Sequence, residues 1–405
     1  MTSPKCDVIV VGAGIIGLAT AMELSGRYPK LHITVLEKEP SVASHQTGHN
    51  SGVIHAGLYY RPGSYKANLC VQGARSLRQF CDEHQIKYKL VGKVIVATQD
   101  EELPALETLY QRGLANKVDG LTIIGPERLK ELEPHASGIR AIHSPQSGLV
   151  DYKEVSEAYA KELLDRGGEI ITGAKVLQVT QRTGVINVQT STGDFETKYL
   201  INCAGLYADT IARLMGHGSG IRIIPFRGEY FSLHPSKYNL VNGLIYPVPN
   251  PRFPFLGGHL SRRINGAVKA GPNAVLAFAR EGYRKSDINV HDLAGTMTHI
   301  GFWRMAAKYW KTGFWEFRRS MSKRVFTRSL QKLVPDIQEQ DLTQPSSGVR
   351  AQAIDRQGAL LDDFSILVAE NAIHVQNAPS PAATSSLAVG QHIVALAADS
   401  FGFNR

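Results

Sequence analysis

The sequence predicts an α/β protein: a Rossmann-type dinucleotide-binding domain carrying an inserted mixed-sheet α+β domain. Three observations lead there. An apolar strand over 7–11 runs into Gly12-Ala13-Gly14-Ile15-Ile16-Gly17 and a helical pattern, and a second strand, 33–36, ends at Glu37. From 169 onward, short strands lead up to a glycine at 205, and a strand–helix unit closes the chain after 366. Between these stretches, 221–345 mixes strand with aromatic-rich helix and has no second nucleotide fingerprint.

The opening unit has the G-x-G-x-x-G spacing in its required context of strand, helix and acidic residue. Gly12 permits the tight turn, Gly14 lets backbone N–H groups reach a pyrophosphate at the helix N-terminus, and Gly17 lets helix pack on sheet. Glu37 is placed to accept from ribose hydroxyls. A helix follows over 64–84, with Ala67, Val71, Ala74, Leu77 and Phe80 or Cys81 on one side. A strand over 93–98 and helices over 101–114 and 127–132 come next. Asp151 is the expected N-cap of a helix ending at 165. Strands are read at 169–172, 175–181, 185–191 and 195–201, with Thr192-Gly193-Asp194 as a tight turn. The run 199–205 is a buried strand ending in Gly205, and Asp209 reads as a helix N-terminal residue. Strands near 366–369 and 373–375 precede a helix over 381–398. The nucleotide domain is thus expected from 1–90, 145–220 and 340–405, and the second domain from 91–144 and 221–339.

With 405 residues the chain can hold two sizeable cores. Cys6, Cys70, Cys81 and Cys203 have neither disulfide-framework nor metal-ligand spacing, so a reducing compartment is expected and no metal. Residues 1–6 are too short and polar for a signal peptide, and no stretch is apolar enough to span a bilayer. The net charge of +9 suits nucleic acid, anionic lipid or an acidic substrate. Its location is informative: 302–332 holds nine Lys and Arg against the single Glu316, with Trp303, Trp310 and Trp315 interleaved. Trp303, Trp310, Phe314 and Phe317 follow helical spacing, with a break expected near Gly313. This pattern fits an anionic membrane surface. The competing readings are a helix with its aromatic face in the core, and an anion or nucleic-acid site. The favoured reading includes no nucleic-acid partner.

One nucleotide fingerprint fits either an NAD dehydrogenase or a flavoenzyme that takes electrons directly from its substrate. Five further blocks separate these. They are His49-Asn50-Ser51-Gly52-Val53-Ile54-His55-Ala56-Gly57-Leu58-Tyr59-Tyr60, Asn202-Cys203-Ala204-Gly205, Pro225-Phe226-Arg227-Gly228-Glu229-Tyr230, Gly348-Val349-Arg350-Ala351-Gln352 and Asn377-Ala378-Pro379-Ser380-Pro381-Ala382-Ala383-Thr384. With the opening fingerprint they resemble the FAD-dependent amino-acid and hydroxy-acid oxidoreductase superfamily, whose fold is D-amino acid oxidase/glutathione reductase-like. Within it the chain most resembles the L-2-hydroxyglutarate oxidase/dehydrogenase family, over essentially its full length. The resemblance implies non-covalent FAD, oxidation of (S)-2-hydroxyglutarate to 2-oxoglutarate, and electron delivery to respiratory quinone or oxygen. It also implies peripheral attachment to the cytoplasmic face of the inner membrane.

The implied FAD contacts are Gly12, Gly14, Ile15, Gly17, Glu37 and Lys38 around the adenosine diphosphate, with Val176. Thr47, His49, Asn50, Ser51 and Gly52 run beside the ribityl chain and the ring system. Ala204 and Gly205 pass close to the cofactor. Ser380, Pro381, Ala382, Ala383 and Thr384 would begin a helix whose free N–H groups stabilise anionic reduced flavin. Some relatives tether flavin through a histidine or cysteine near His49, so that position is of interest.

A 2-hydroxy acid must lose its hydroxyl proton while hydride leaves its α-carbon, which calls for a base; two carboxylates call for cations, arginine best. His259, in Phe255-Leu256-Gly257-Gly258-His259, ranks ahead of His55 as base, with His374 also considered and a structural imidazole as the alternative. Arg350 is the expected α-carboxylate anchor, although Gly-Val-Arg-Ala-Gln departs from the Gly-Leu-Arg-Pro of some relatives. Arg227, Arg262 and Lys66 compete for the distal carboxylate. Tyr59, Tyr60 and Tyr230 offer hydroxyls, while Lys93 and Glu229 read as structural. Amino-acid or glycerol-3-phosphate oxidation on the same fold, and a non-catalytic membrane-attached dinucleotide-binding protein, are the alternatives.

Overall fold

The computed structural model describes residues 5–182, 184–218, 220–249 and 257–403; Phe255 and Leu256, on the approach to His259, lie outside them. Lys5–Val11 is the centre of an eight-stranded sheet, parallel to Ile33–Leu36 on one side and to Asp194–Asn202 on the other. Glu169–Ile171 extends the sheet beyond Ile33–Leu36. The other edge of Asp194–Asn202 is shared by two partners. Its first half pairs with the antiparallel Val176–Arg182 and Val185–Thr190 hairpin, and its end pairs with Ala372–Asn377. The inner strands are buried because both faces are covered. Helices Ile15–Arg27, Tyr65–Glu83, Tyr152–Asp165 and Ser386–Phe401 pack into one core with the sheet. Asp151 caps its helix, as expected, by accepting from the Lys153 N–H, and Ser64 does the same for Tyr65–Glu83 through Ala67.

The second sheet has nine strands and is mixed: Lys93–Ala97 runs parallel to Leu244–Pro247, while its pairing with Arg140–Ser144 is antiparallel. One strand departs from the expected division. Leu342–Ile354 belongs to this sheet, pairing with Arg222–Leu233 along nearly its whole length, Phe226 opposite Arg350. The next strands of the first sheet are Ser365–Val368 and Ala372–Asn377. Gly348 is the close approach this crossing needs, since a Cβ there would lie 2.2 Å from the His49 carbonyl oxygen.

The basic aromatic segment is helical, as Ile300–Met321 and Lys323–Gln331. Its break is not at Gly313. It falls at Tyr309 (φ −113°, ψ 16°), whose ring packs on the Ile224, Phe302 and Met305 cluster, and again at Ser322, which caps the second helix. Phe302 and Phe326 are core, but Trp303, Trp310, Phe314, Trp315 and Phe317 are all exposed, Trp310 by 64 %. The reading that places this aromatic face in the core fails for those five rings. Among the described residues no helix is long and apolar enough to cross a membrane.

Candidate active site

The fingerprint turn is built from its glycines. A Cβ on Gly12 (φ +102°) would stand 2.7 Å from the Cys203 carbonyl oxygen, and one on Gly17 only 1.9 Å from that of Gly12. Gly14 is different. Its added Cβ meets nothing closer than Thr47 Oγ1 at 3.5 Å, and it faces a cavity. Around it the turn is already braced. The Glu37 carboxylate accepts from the N–H groups of Ala13 (2.8 Å) and Glu39 (2.9 Å), and Thr47 Oγ1 accepts from the Ile15 N–H (3.0 Å). A carboxylate has about four acceptor sites, which leaves Glu37 capacity for sugar hydroxyls.

The cavity has a volume of ≈ 1220 Å³ and is lined by both domains. Small-molecule pockets are roughly 300–1,000 Å³, so this one has room for a dinucleotide with a substrate beside it. Of the expected cofactor positions, Gly12, Gly14, Ile15, Glu37, Lys38, Thr47, His49, Asn50, Ser51, Val176, Ala204, Gly205, Ser380, Pro381, Ala382, Ala383 and Thr384 line it. Gly17 and Gly52 do not; each sits where the backbone packs too closely for a Cβ.

Several of these side chains have other work. The Lys38 ammonium is held by Glu39 and Glu281. Asn50 staples its own loop, donating to the Thr47 carbonyl and accepting from the Gly52 N–H at 2.7 Å, so its amide is not a free flavin donor. His49 Nδ1 bonds the His45 carbonyl, and its ring lies against Tyr283. Thr384 Oγ1 meets the Tyr152 hydroxyl (2.8 Å) and accepts from the His55 N–H (3.1 Å). The last helix begins at Ser386, not near 381. Residues 381–385 form a turn instead, in which Ser385 N–H donates to the Pro381 carbonyl.

His259 and His55 come together at one end of the cavity. His259 opens the strand His259–Arg262 and stacks on Tyr246, ring centroids 3.9 Å apart. Its Nδ1 lies 3.1 Å from the Gly257 carbonyl oxygen. Only an N–H can satisfy a carbonyl, so Nδ1 carries the proton and Nε2 the lone pair. Burial, helped by Lys93 and Arg350, pushes the imidazole down to about 3, so it is neutral, with its Nε2 lone pair open, at physiological pH. His55 is likewise held well below its ordinary value by burial, and its Nδ1 has no hydrogen-bond partner among the described residues. Arg350 is half-buried on the cavity wall, hydrogen-bonded to the Tyr230 hydroxyl. Tyr60 hydrogen-bonds Ser380.

Two proposed carboxylate partners are elsewhere. Arg227 pairs with Glu229 at 3.1 Å and donates to the Arg284 carbonyl; Arg262 donates to the Val241 carbonyl at 2.8 Å; neither lines the cavity. The internal partners of these arginines leave their forks turned away from the site. Lys66 lines the cavity but binds Asp362 at 2.8 Å. His374 is buried between Asn202 and His217, away from the cavity. Glu229 accepts from Arg227 and from the Asn273 side-chain amide. Sequence reasoning missed Tyr246, which sets the His259 ring plane, and Arg263, which donates to the Asn50 carbonyl at 2.5 Å and ties the second sheet to the cofactor loop. It also set aside Lys93, a fully buried lysine beside this cluster.

Residues 7–396 match the family described as FAD dependent oxidoreductase. The L-2-hydroxyglutarate dehydrogenase of Indibacter alkaliphilus is 54 % identical over 95 % of this chain and 96 % of its own length. The chain belongs to the L-2-hydroxyglutarate dehydrogenase family, within the FAD-dependent oxidoreductases. The Escherichia coli enzyme of that name is 45 % identical over 96 % of this chain and 92 % of its own. The human mitochondrial one is 43 % identical over 95 % and 86 %. The fold is that of the FAD-bound L-alpha-glycerophosphate oxidase of Mycoplasma pneumoniae, with a TM-score of 0.79 at 24 % identity over 97 % of this chain and 94 % of that one. This family's cofactor, FAD, fits the cavity. Gly12 and Gly17 admit no side chain, Gly14 opens onto the lumen, Glu37 keeps acceptor capacity, and His55 Nδ1 is an orphaned polar atom in the wall.

Proposed function

We propose that this chain oxidises L-2-hydroxyglutarate to 2-oxoglutarate. The observation that carries the reading is the meeting of His259, with a lone pair on Nε2, and Arg350 in the cavity that also contains the fingerprint turn. Arg350 takes the α-carboxylate through its fork, with Tyr230 fixing the guanidinium plane. His259 Nε2 accepts the hydroxyl proton, and the Gly257 carbonyl steadies the imidazolium through Nδ1–H. The fingerprint turn and Glu37 would hold FAD, which would supply the acceptor for the α-carbon hydride. His55 lies beside this proton path and would take a second hydrogen bond from substrate or cofactor at Nδ1. Closing the substrate between two domains excludes water, which strengthens these contacts.

The proposal extends to the electron acceptor and the location: respiratory quinone, reached at an anionic membrane surface on the cytoplasmic face of the inner membrane. The exposed Trp310, Phe314 and Trp315 support it. Lys311 and Arg318 lie over two of these rings, a combination suited to the headgroup layer.

Anaerobic stopped-flow absorbance tests the chemistry. The FAD-loaded protein is mixed separately with each 2-hydroxyglutarate enantiomer, sarcosine, a D-amino acid and glycerol-3-phosphate. Fast loss of the oxidised flavin band with the (S)-enantiomer alone is expected. Loss with one of the other donors would move the chain to a sister activity, and no loss with any would leave a non-catalytic role.

A further inference from the structure

The arginines proposed for the distal carboxylate are engaged elsewhere, Arg227 by Glu229 and Arg262 by backbone carbonyls, and Lys66 is held by Asp362. A substrate with two carboxylates still needs a second cation once Arg350 holds the first. One stands next to the cavity. Lys93 begins the fully buried strand Lys93–Ala97 and is 1 % exposed. Among the described residues its Nζ has no hydrogen-bond partner and no carboxylate acts on it. It rests over two aromatic faces, 4.4 Å from the Tyr246 ring centroid and 5.3 Å from that of Tyr59. Both tyrosines line the cavity, and the Tyr59 hydroxyl is itself buried without a partner among the described residues. His55 and His259, on the same wall, both feel the Lys93 charge. Its remaining neighbour, Cys70, is no counter-ion, because burial pushes that thiol up to about 12. Two ring faces do not repay the burial of an ammonium. Burial alone pushes this ammonium down to about 7, so an anion that arrives with the ligand is what would hold it in its charged form.

We propose that Lys93 is a specificity-determining residue, supplying from behind the Tyr59 and Tyr246 wall the positive field that holds the substrate's second carboxylate, with the Tyr59 hydroxyl as its hydrogen-bond donor. This rests on the dicarboxylic substrate inferred above. Lys93 acts through that wall as a positioning residue and does not touch the reacting atoms.

The test uses the purified holoenzyme and its Lys93→Met and Lys93→Arg variants. Dissociation constants for 2-oxoglutarate and for 2-oxobutyrate, which lacks the second carboxylate, are read from the flavin absorbance change. Lys93→Met should weaken 2-oxoglutarate on the order of tenfold or more, the scale of a lost charged contact, and leave 2-oxobutyrate within about twofold. Lys93→Arg should recover part of the loss. The melting temperature of Lys93→Met should equal or exceed that of the wild type, because a buried lone charge has been removed. Equal weakening of both ligands, no weakening of either, or a lower melting temperature with loss of FAD would each overturn the inference. A wild type that does not prefer 2-oxoglutarate over 2-oxobutyrate would instead refute the dicarboxylic substrate itself.

Discussion

Replacing His259 by glutamine tests the base directly. The glutamine amide reaches the region of Nε2 and keeps a polar group there, but it cannot take a proton near neutral pH. General-base catalysis contributes about 10²–10⁴-fold, which corresponds to about 3–5 kcal/mol of barrier. Substrate affinity should change little, because the carboxylates are held elsewhere, by Arg350 first. Two structural losses accompany the change. The ring stack on Tyr246 at 3.9 Å is worth about 0.5–1.5 kcal/mol. The Gly257 carbonyl, bonded at 3.1 Å, loses its donor, at about 1 kcal/mol. The assay is the limiting rate of anaerobic flavin reduction by L-2-hydroxyglutarate, with 2-oxoglutarate binding and the flavin-to-protein absorbance ratio measured on the same preparation. A variant that keeps its FAD and its ligand affinity but reduces hundreds of times more slowly identifies the base. Reduction within about tenfold of wild type, with the large loss appearing in His55→Gln instead, would refute the assignment.

Four other outcomes are expected. Gly17→Ala should yield apoprotein, seen as a missing flavin band, because its Cβ would fall 1.9 Å from the Gly12 carbonyl oxygen. Asp209→Asn should lower stability by about 3 kcal/mol in urea unfolding, as expected for a broken buried ion pair, since Asp209 holds the buried Arg280 through both oxygens (2.6 and 2.9 Å); an unchanged midpoint would remove that role. The preference for 2-hydroxyglutarate over 2-hydroxybutyrate in kcat/KM should be high at low pH and fall as pH rises through about 7, where burial places Lys93. Around it, His55 and His259 are held below that range, and Tyr59, Tyr246 and Cys70 above it, so the profile should be flat in Lys93→Met. Changing Trp310 and Trp315 to Ser, with Lys308 and Lys311 to Gln, should cut sedimentation with anionic liposomes by about tenfold or more, each lysine near the surface being worth about 1 kcal/mol, while sparing flavin reduction; unchanged sedimentation would rule out this helix as the contact.

Local constraints were the legible ones. The fingerprint turn could be read from its spacing together with the strand, helix and acidic residue around it, all within the first 37 residues. The Asp151 cap and the hairpin at Thr192-Gly193-Asp194 were equally local. What the sequence concealed depends on distant partners. Leu342–Ile354 carries no strong strand pattern and becomes a strand by pairing with Arg222–Leu233. Arg227 and Arg262 looked like substrate ligands only until their internal partners were seen. Glu229, two residues from Arg227, was a signal that could have been weighed. Lys93 was hidden differently. A lysine at the start of a strand reads as an edge charge, and only the neighbouring Leu244–Pro247 and Arg140–Ser144 strands show that it is interior.

The two halves of the site are prepared in opposite ways. On the cofactor side, Glu37, Thr47 and Asn50 bond to their own backbone, so the cradle keeps its shape by itself. On the substrate side, His55 Nδ1, the Tyr59 hydroxyl and Lys93 Nζ are buried without partners among the described residues. Buried polar atoms left unpaired are costly, the charged one most of all. The groups that would relieve that cost must therefore come with what binds. A ligand that supplies a carboxylate to Lys93 and Tyr59 gains more than one that fills the same space with a methyl group, because the methyl leaves the charge unanswered. Discrimination between a dicarboxylic and a monocarboxylic 2-hydroxy acid then needs no steric gate. It follows from the stability the fold forgoes by burying a lysine with no acid beside it.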